Sequence, residues 1–343
     1  MLTDSDDFAT LYREANLLRK ASRFADAAKL YERALQAGGG TEEERLEAGV
    51  PLAECLLMTG QHTEGLAHLS ELYTATHDRP GFESIAYRAL YYKVDALRNL
   101  EGSVTEPNYE RRLQIIEDGL RWLHDIAHEE WRHALLVMKS YVLAGQLKLA
   151  EALDAAEEAY RLRKAGVGPG YNIGVYARRV SDCARALDQV DRGLAVLEET
   201  EEVDLSSVTR AQLLVERVRL LLAAKPPRLV EAMEAARKAA RLREDLQAPR
   251  TQLLLDIVLA QAAAEAGSYP EAMGSLRAGH DYTMKDDSLD RGWLLREERK
   301  ALLAIQGSLP EEAGAQGSEL RELVAGLLCE VEAATAAEHR ESV

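Results

Sequence analysis

The feature that most constrains this chain is a spacing of small and large residues that repeats along it. Between Leu11 and Leu35, small or apolar residues fall at Leu11, Ala15, Leu18, Phe24, Ala27, Tyr31 and Ala34. Residues three or four apart share a helix face, so the window reads as two amphipathic helices joined by a short turn. Such an antiparallel pair packs with its axes roughly 8–10 Å apart. Small residues at the closest approach permit that distance, and aromatics fill the wider part of the wedge.

The unit recurs. Gly60, His62, Gly65 and Leu69 repeat its turn and second helix, as do Gly145, Leu147 and Ala150. Val190, Gly193 and Leu197 follow, then Leu229, Ala232 and Ala236, then Gly267, Tyr269, Ala272 and Leu276. A divergent copy places Tyr109 after its turn and Arg112 at the small-residue position. The pattern resembles the tetratricopeptide (TPR) repeat. That family has a small residue midway in the first helix, an aromatic after the turn, and two alanines flanking a large residue in the second helix. Ala15, Phe24, Ala27, Tyr31 and Ala34 occupy those positions. Traced through Ala27, Gly65, Arg112, Ala150, Gly193, Ala232 and Ala272, the steps are about 38 to 47 residues, longer than the family's usual period of roughly 34. The resemblance implies an all-α fold, a right-handed α-solenoid of seven to eight antiparallel helix pairs. One array is expected over 1–343, with pairs near 7–37, 42–76, 83–127, 129–165, 171–203, 206–246, 249–284 and 288–338. In such an array each repeat contacts mainly its neighbours.

Composition agrees with this reading. The chain is rich in Ala and Leu and only 6% aromatic, which favours helix over strand. A net charge of −16 repels nucleic-acid phosphates and disfavours an anionic membrane surface. No apolar run approaches the roughly 20 residues of a membrane span, and Met1 to Asp7 is too acidic for a signal peptide. Cys55, Cys183 and Cys329 form no CxxC pair, and each sits in an apolar helical pattern. Buried free thiols and a cytoplasmic setting are therefore expected.

Motifs for chemistry are sparse. The run Gly166-Val167-Gly168-Pro169-Gly170 has no strand before it and no Lys-Ser/Thr after it, so it reads as a loop and not as a phosphate cradle. His124, His128 and His133 cluster with Glu129 and Glu130, and residues four apart on a helix can share a metal. However, a helix boundary is expected near Ala127 to Glu129, and the HExxH order is absent. A metal-dependent enzyme using His124, His128 and Glu129 therefore ranks below binding. No catalytic residue, metal or cofactor is expected.

Repeat proteins recognise partners on extended concave surfaces. In the TPR family the first helix of each pair lines that surface. Transferred by the resemblance, the groove positions are Tyr12, Arg13, Asn16 and Lys20, then Glu47, Glu54 and Leu57. Arg132, Leu135 and Lys139 follow, then Arg178, Arg179, Asp182 and Arg185, and finally Ile257 and Gln261. Arg178, Arg179 and Arg185 concentrate positive charge in an acidic chain. With Arg132 and Lys139 they suggest a basic pocket suited to carboxylates. This is similar to the carboxylate clamp of chaperone-binding TPR domains, although the clamp's full residue pattern is not reproduced; a solvated stripe balanced by nearby acids is the alternative. Tyr87, Tyr91 and Tyr92 form a second candidate, either as interface anchors or as inter-repeat core. Trp122, Trp131 and Trp293 read as core. The expected function is a protein-interaction module holding a peptide or protein partner with an acidic or carboxylate-bearing segment. The alternative is a peptide-sensing regulator; with repeats starting near Asp7, it would act by sequestering a protein.

Overall fold

A computed structural model describes residues 7–100, 109–166, 172–203, 205–243, 246, 248–285, 291–310 and 312–341. The loop read at 101–108 and the glycine-rich stretch 167–170 lie outside the described residues. Among those described, sixteen α-helices and no strand are found. The chain divides into two compact units, Met1–Pro169 and Gly170–Val343. The first holds α1 (Phe8–Lys20), α2 (Phe24–Gln36), α3 (Glu42–Met58), α4 (His62–Thr76), α5 (Glu83–Leu100), α6 (Tyr109–Asp125), α7 (Arg132–Gly145) and α8 (Leu149–Lys164), with a 3-10 turn at Glu129–Trp131. The second holds α9 (Ile173–Ala186), α10 (Val190–Glu201), α11 (Ser207–Ala223), α12 (Leu229–Ala240), α13 (Pro249–Glu265), α14 (Tyr269–Lys285), α15 (Arg291–Ser308) and α16 (Gly314–Glu341).

One turn geometry builds most of the pairs. Ser22, Gly60, Leu147, Asp188 and Gly267 each adopt a left-handed φ between the two helices of a pair. The next residue's N–H then reaches back over the end of the first helix. Arg23 donates to the Leu18 carbonyl at 2.9 Å, Lys148 to Leu143 at 2.9 Å, and Gln189 to Ala184 at 2.8 Å. This is the Schellman closure, which satisfies carbonyls that a helix end otherwise leaves open. Glycine fills the left-handed position without strain at Gly60 and Gly267. Ser22, Leu147 and Asp188 hold the same φ at some cost, against the packing of two helices that fixes the turn. Four of the first helices start at side-chain caps: Asp7, Thr41, Asn172 and Ser206 each accept a backbone N–H of the following turn.

The turn sets the register of the second helix. Five residues beyond the left-handed position, Ala27, Gly65, Ala152, Gly193 and Ala272 are all buried. At the α7–α8 pair the sequence trace had chosen Ala150. The structure corrects this to Ala152, because Ala150 is solvent-exposed and Ala152 is fully buried. At Gly65 and Gly193 even a methyl group would meet Leu57 or Leu220 side-chain carbons at 2.9 Å. Around Ala15, Ala27 and Tyr31 the first core cluster closes with Leu52, Cys55 and Leu56. Burial pushes the Cys55 thiol up to about 11, so it is an inert packing group. Cys329 departs from the expectation: it lies on an exposed face of α16.

The end of the second unit contains a buried polar group. His280 on α14 places Nδ1 2.8 Å from Glu298 on α15 and Nε2 3.1 Å from Glu330 on α16. His280 and Glu298 are buried, and the second Glu298 oxygen is buried without a partner. Both ring nitrogens can donate only in the imidazolium form. The hydrogen bond to Glu298 raises the His280 pKa above its ordinary value.

Two outcomes follow from this packing. Ala27→Leu overfills the closest helix approach and should cost about 1–3 kcal/mol, read as a lower urea midpoint with faster amide exchange confined to the neighbouring pairs. Because the folded pKa of His280 is raised, its contribution is complete below about pH 6.5 and is lost as pH rises through the folded value. The stability gap between wild type and His280→Gln should therefore shrink on going from mildly acidic to mildly alkaline buffer.

Candidate protein-interaction groove

In the second unit α9 packs on α11, α11 on α13, and α13 on α15. The first helices of successive pairs thus lie side by side. Arg178 and Arg185 stand two helical turns apart on α9, and Gln212 and Arg219 do so on α11, so each pair shares a face. The upper row is a ladder. Arg178 Nη1 donates to Gln212 Oε1 at 2.7 Å, and Gln212 Nε2 donates to Thr251 Oγ1 on α13 at 3.3 Å. In the lower row Arg185, Arg219, Gln261, Glu265 and Ser308 surround a cavity of about 430 Å³, with Leu222, Ala223, Ala304 and Ile305 as its apolar lining.

The charges of this face divide into those compensated internally and those left over. Arg185 donates to Asp182 Oδ1 at 2.5 Å, Arg179 donates to Asp182 Oδ2 at 3.0 Å, and Arg219 donates to Glu216 at 2.9 Å. Arg179 is buried, so it braces the groove wall and does not face a ligand. Arg178 has the neutral Gln212 as its partner, and no carboxylate pairs with it among the described residues. The Nε–H groups of Arg178 and Arg185 are buried without an acceptor. At the far side of the cavity Glu265 pairs with no cation among the described residues. Partial loss of water raises its carboxyl pKa above the ordinary value.

The other sequence candidates lie in the first unit. Arg132 donates to Glu129 at 2.5 Å and to Glu158 at 3.0 Å. That bond holds the Glu129 carboxyl below its ordinary value. Lys139 sits 3.1 Å from Glu117. These two cations and the α9 arginines belong to different compact units. Asn16 donates to the Tyr12 carbonyl at 2.9 Å and accepts from the Tyr31 hydroxyl at 3.0 Å; burial pushes that phenol up to about 12. Tyr87 stacks on Trp131 at 5.0 Å, and Trp131 stacks on His128 at 4.3 Å. Tyr91 meets Tyr92 edge-on at 5.6 Å. Tyr87 and Trp131 are half-buried against one core cluster and Tyr92 against another. Leu135 and Ile257, placed in the groove by the sequence, are buried in the core instead, because their helix faces turn toward the neighbouring pairs.

The histidines do not converge. α6 ends at Asp125, and Ala127 turns left-handed. His124 bonds Glu129 at 3.1 Å while His128 bonds Glu130 at 2.5 Å. Burial drives His133 down to about 4. Among the described residues no group of three or more His, Cys, Asp or Glu is placed to hold a metal ion.

Sequence reading missed Gln212, Arg219, Glu265 and Ser308. The repeat containing α11 was too irregular to give groove positions, although Gln212 and Arg219 each lie about 34 residues after Arg178 and Arg185. A larger hollow of about 800 Å³ follows α12, but it is lined almost wholly by that one helix and lacks the convergence of successive repeats.

Paired helices, Schellman turns and stacked small residues together define a TPR-type α-solenoid. Among solved structures, a Rap protein complexed with competence and sporulation factor matches 96% of this chain and 98% of its own, with a TM-score of 0.53 and 13% identity. A signal-transduction ATPase with numerous domains from Pyrococcus horikoshii, described as having a tetratricopeptide-repeat sensor, matches 92% of this chain and 44% of its own, with a TM-score of 0.54 and 13% identity. At such identities the likeness establishes the fold. No protein-family model matches the chain, and no curated protein matches its sequence. No helix among the described residues is long and apolar enough to cross a membrane.

Proposed function

We propose that this chain is a non-enzymatic protein-interaction module that holds a peptide or an extended segment of a partner protein across α9, α11, α13 and α15. The observation that carries this reading is the convergence of four successive first helices on one cavity, beside a hydrogen-bonded ladder. The partner's acidic or carboxylate group is assigned to Arg178, whose planar fork suits it. The Rap protein that shares the fold is itself complexed with competence and sporulation factor, and a regulatory or sequestering role for this chain in the cytoplasm is part of the same proposal.

The test is to select peptides that bind the full-length protein from a random display library and to rescreen them on Ala304→Trp. Ala304 is an exposed residue of the cavity wall, so tryptophan fills the cavity without disturbing the core. Binding should fall at least about tenfold, equivalent to about 1.4 kcal/mol, with the helical circular-dichroism signal unchanged. Undiminished binding would place the interaction elsewhere.

A further inference from the structure

The groove carries two charges of opposite sign that the protein leaves without counterions. Arg178, on α9, bonds only the neutral Gln212, and its Nε–H is buried without an acceptor. Glu265, at the end of α13, lines the cavity and forms no ion pair among the described residues. Between them the other groove charges are answered locally, Arg185 by Asp182 and Arg219 by Glu216. Arg185 and Arg219, the cations that line the same cavity as Glu265, are thus each committed to a carboxylate on their own helix. Glu265 is also partly desolvated, which penalises its ionised form until a cation arrives.

We infer that the groove selects a dipolar peptide, one acidic side chain meeting Arg178 and one basic side chain meeting Glu265. The inference rests on the groove reading above and adds a cationic anchor to it. Geometry sets the spacing. α9 and α13 are two helix steps apart, each roughly 8–10 Å, and Arg178 lies two helical turns, roughly 10 Å, along α9 from Arg185, which shares the cavity with Glu265. The two charges are then roughly 20 Å apart, the length of about six extended residues. A peptide with two acids would leave Glu265 facing a like charge, and one with two bases would do the same at Arg178. Local charge complementarity, not the net charge of the protein, thus decides which segment is held.

Four end-capped heptapeptide pools test this, with uncharged randomised spacers and fixed first and seventh residues: one acid and one base, two acids, two bases, or both neutral. Retention on the immobilised full-length protein is measured for each. The dipolar pool should be retained about tenfold better than either like-charged pool, the ratio given by roughly 1.4 kcal/mol. Arg178→Glu should shift the preference to the doubly basic pool, and Glu265→Arg to the doubly acidic pool. Neither residue is in an ion pair among the described residues, so both variants should keep wild-type helicity, checked by circular dichroism. A ranking of pools that both variants leave unchanged overturns the inference. If that ranking is charge-blind but Ala304→Trp abolishes retention, the groove stands and only the dipolar selection fails. Retention that survives Ala304→Trp, or no retention of any pool, overturns the groove reading together with it.

Discussion

Close approach of two helices within most of the pairs is the constraint on which the rest of this structure depends. A residue no larger than alanine stands at Ala27, Gly65, Ala152, Gly193, Ala232 and Ala272, all of them buried. The left-handed turn before most of these residues fixes how far the chain travels before it turns back. Where the turn is kept, the helix register is kept with it, and the same face of each first helix is carried to the next pair. A single larger side chain at such a point would have to be absorbed by backbone movement, since interiors of this density leave little void to take it up.

That repetition is what gives the second unit a usable surface. No single helix there presents a site. Arg178, Gln212 and Thr251 come from three different pairs, and they meet because α9, α11 and α13 hold equivalent positions. The turns within the pairs of the second unit are short, so the surface is built on helices. A rigid surface of this kind loses little conformational entropy when a ligand orders on it.

Electrostatics follow a different logic at the surface and in the interior. On the surface the many acids answer the arginines pair by pair, as Arg132 is answered by Glu129 and Glu158. Exposed pairs of this sort contribute little individually. In the interior of the second unit the polar groups bridge helices. His280 links α14 to α15 and α16, and Arg243 holds the buried Asp256, whose carboxyl burial raises to about 6. Removing one partner of such a group leaves the other desolvated, so these contacts tie the last helices to the body more firmly than the surface pairs do.

By itself the sequence determined the helical hairpins, because period, small residues and turn chemistry are local properties. Ala15, Phe24, Ala27, Tyr31 and Ala34 were legible as one unit, and all but the half-buried Phe24 are fully buried in the structure. It misplaced the register at the α7–α8 pair, where Gly145 belongs to α7 and Leu147 takes the left-handed φ, so that the small position moves from Ala150 to Ala152. Which charges remain free was decided only by the tertiary structure. Arg132, Arg178, Arg179 and Arg185 look alike in the sequence, yet one is held by two glutamates, one bonds a glutamine, one is buried, and one shares an aspartate. Ion pairing depends on side chains brought together from different helices, and no spacing within one helix encodes it. Glu265 could not be singled out among 58 acidic residues until the packing of α13 against α11 and α15 showed it lining a cavity whose arginines are paired with other carboxylates.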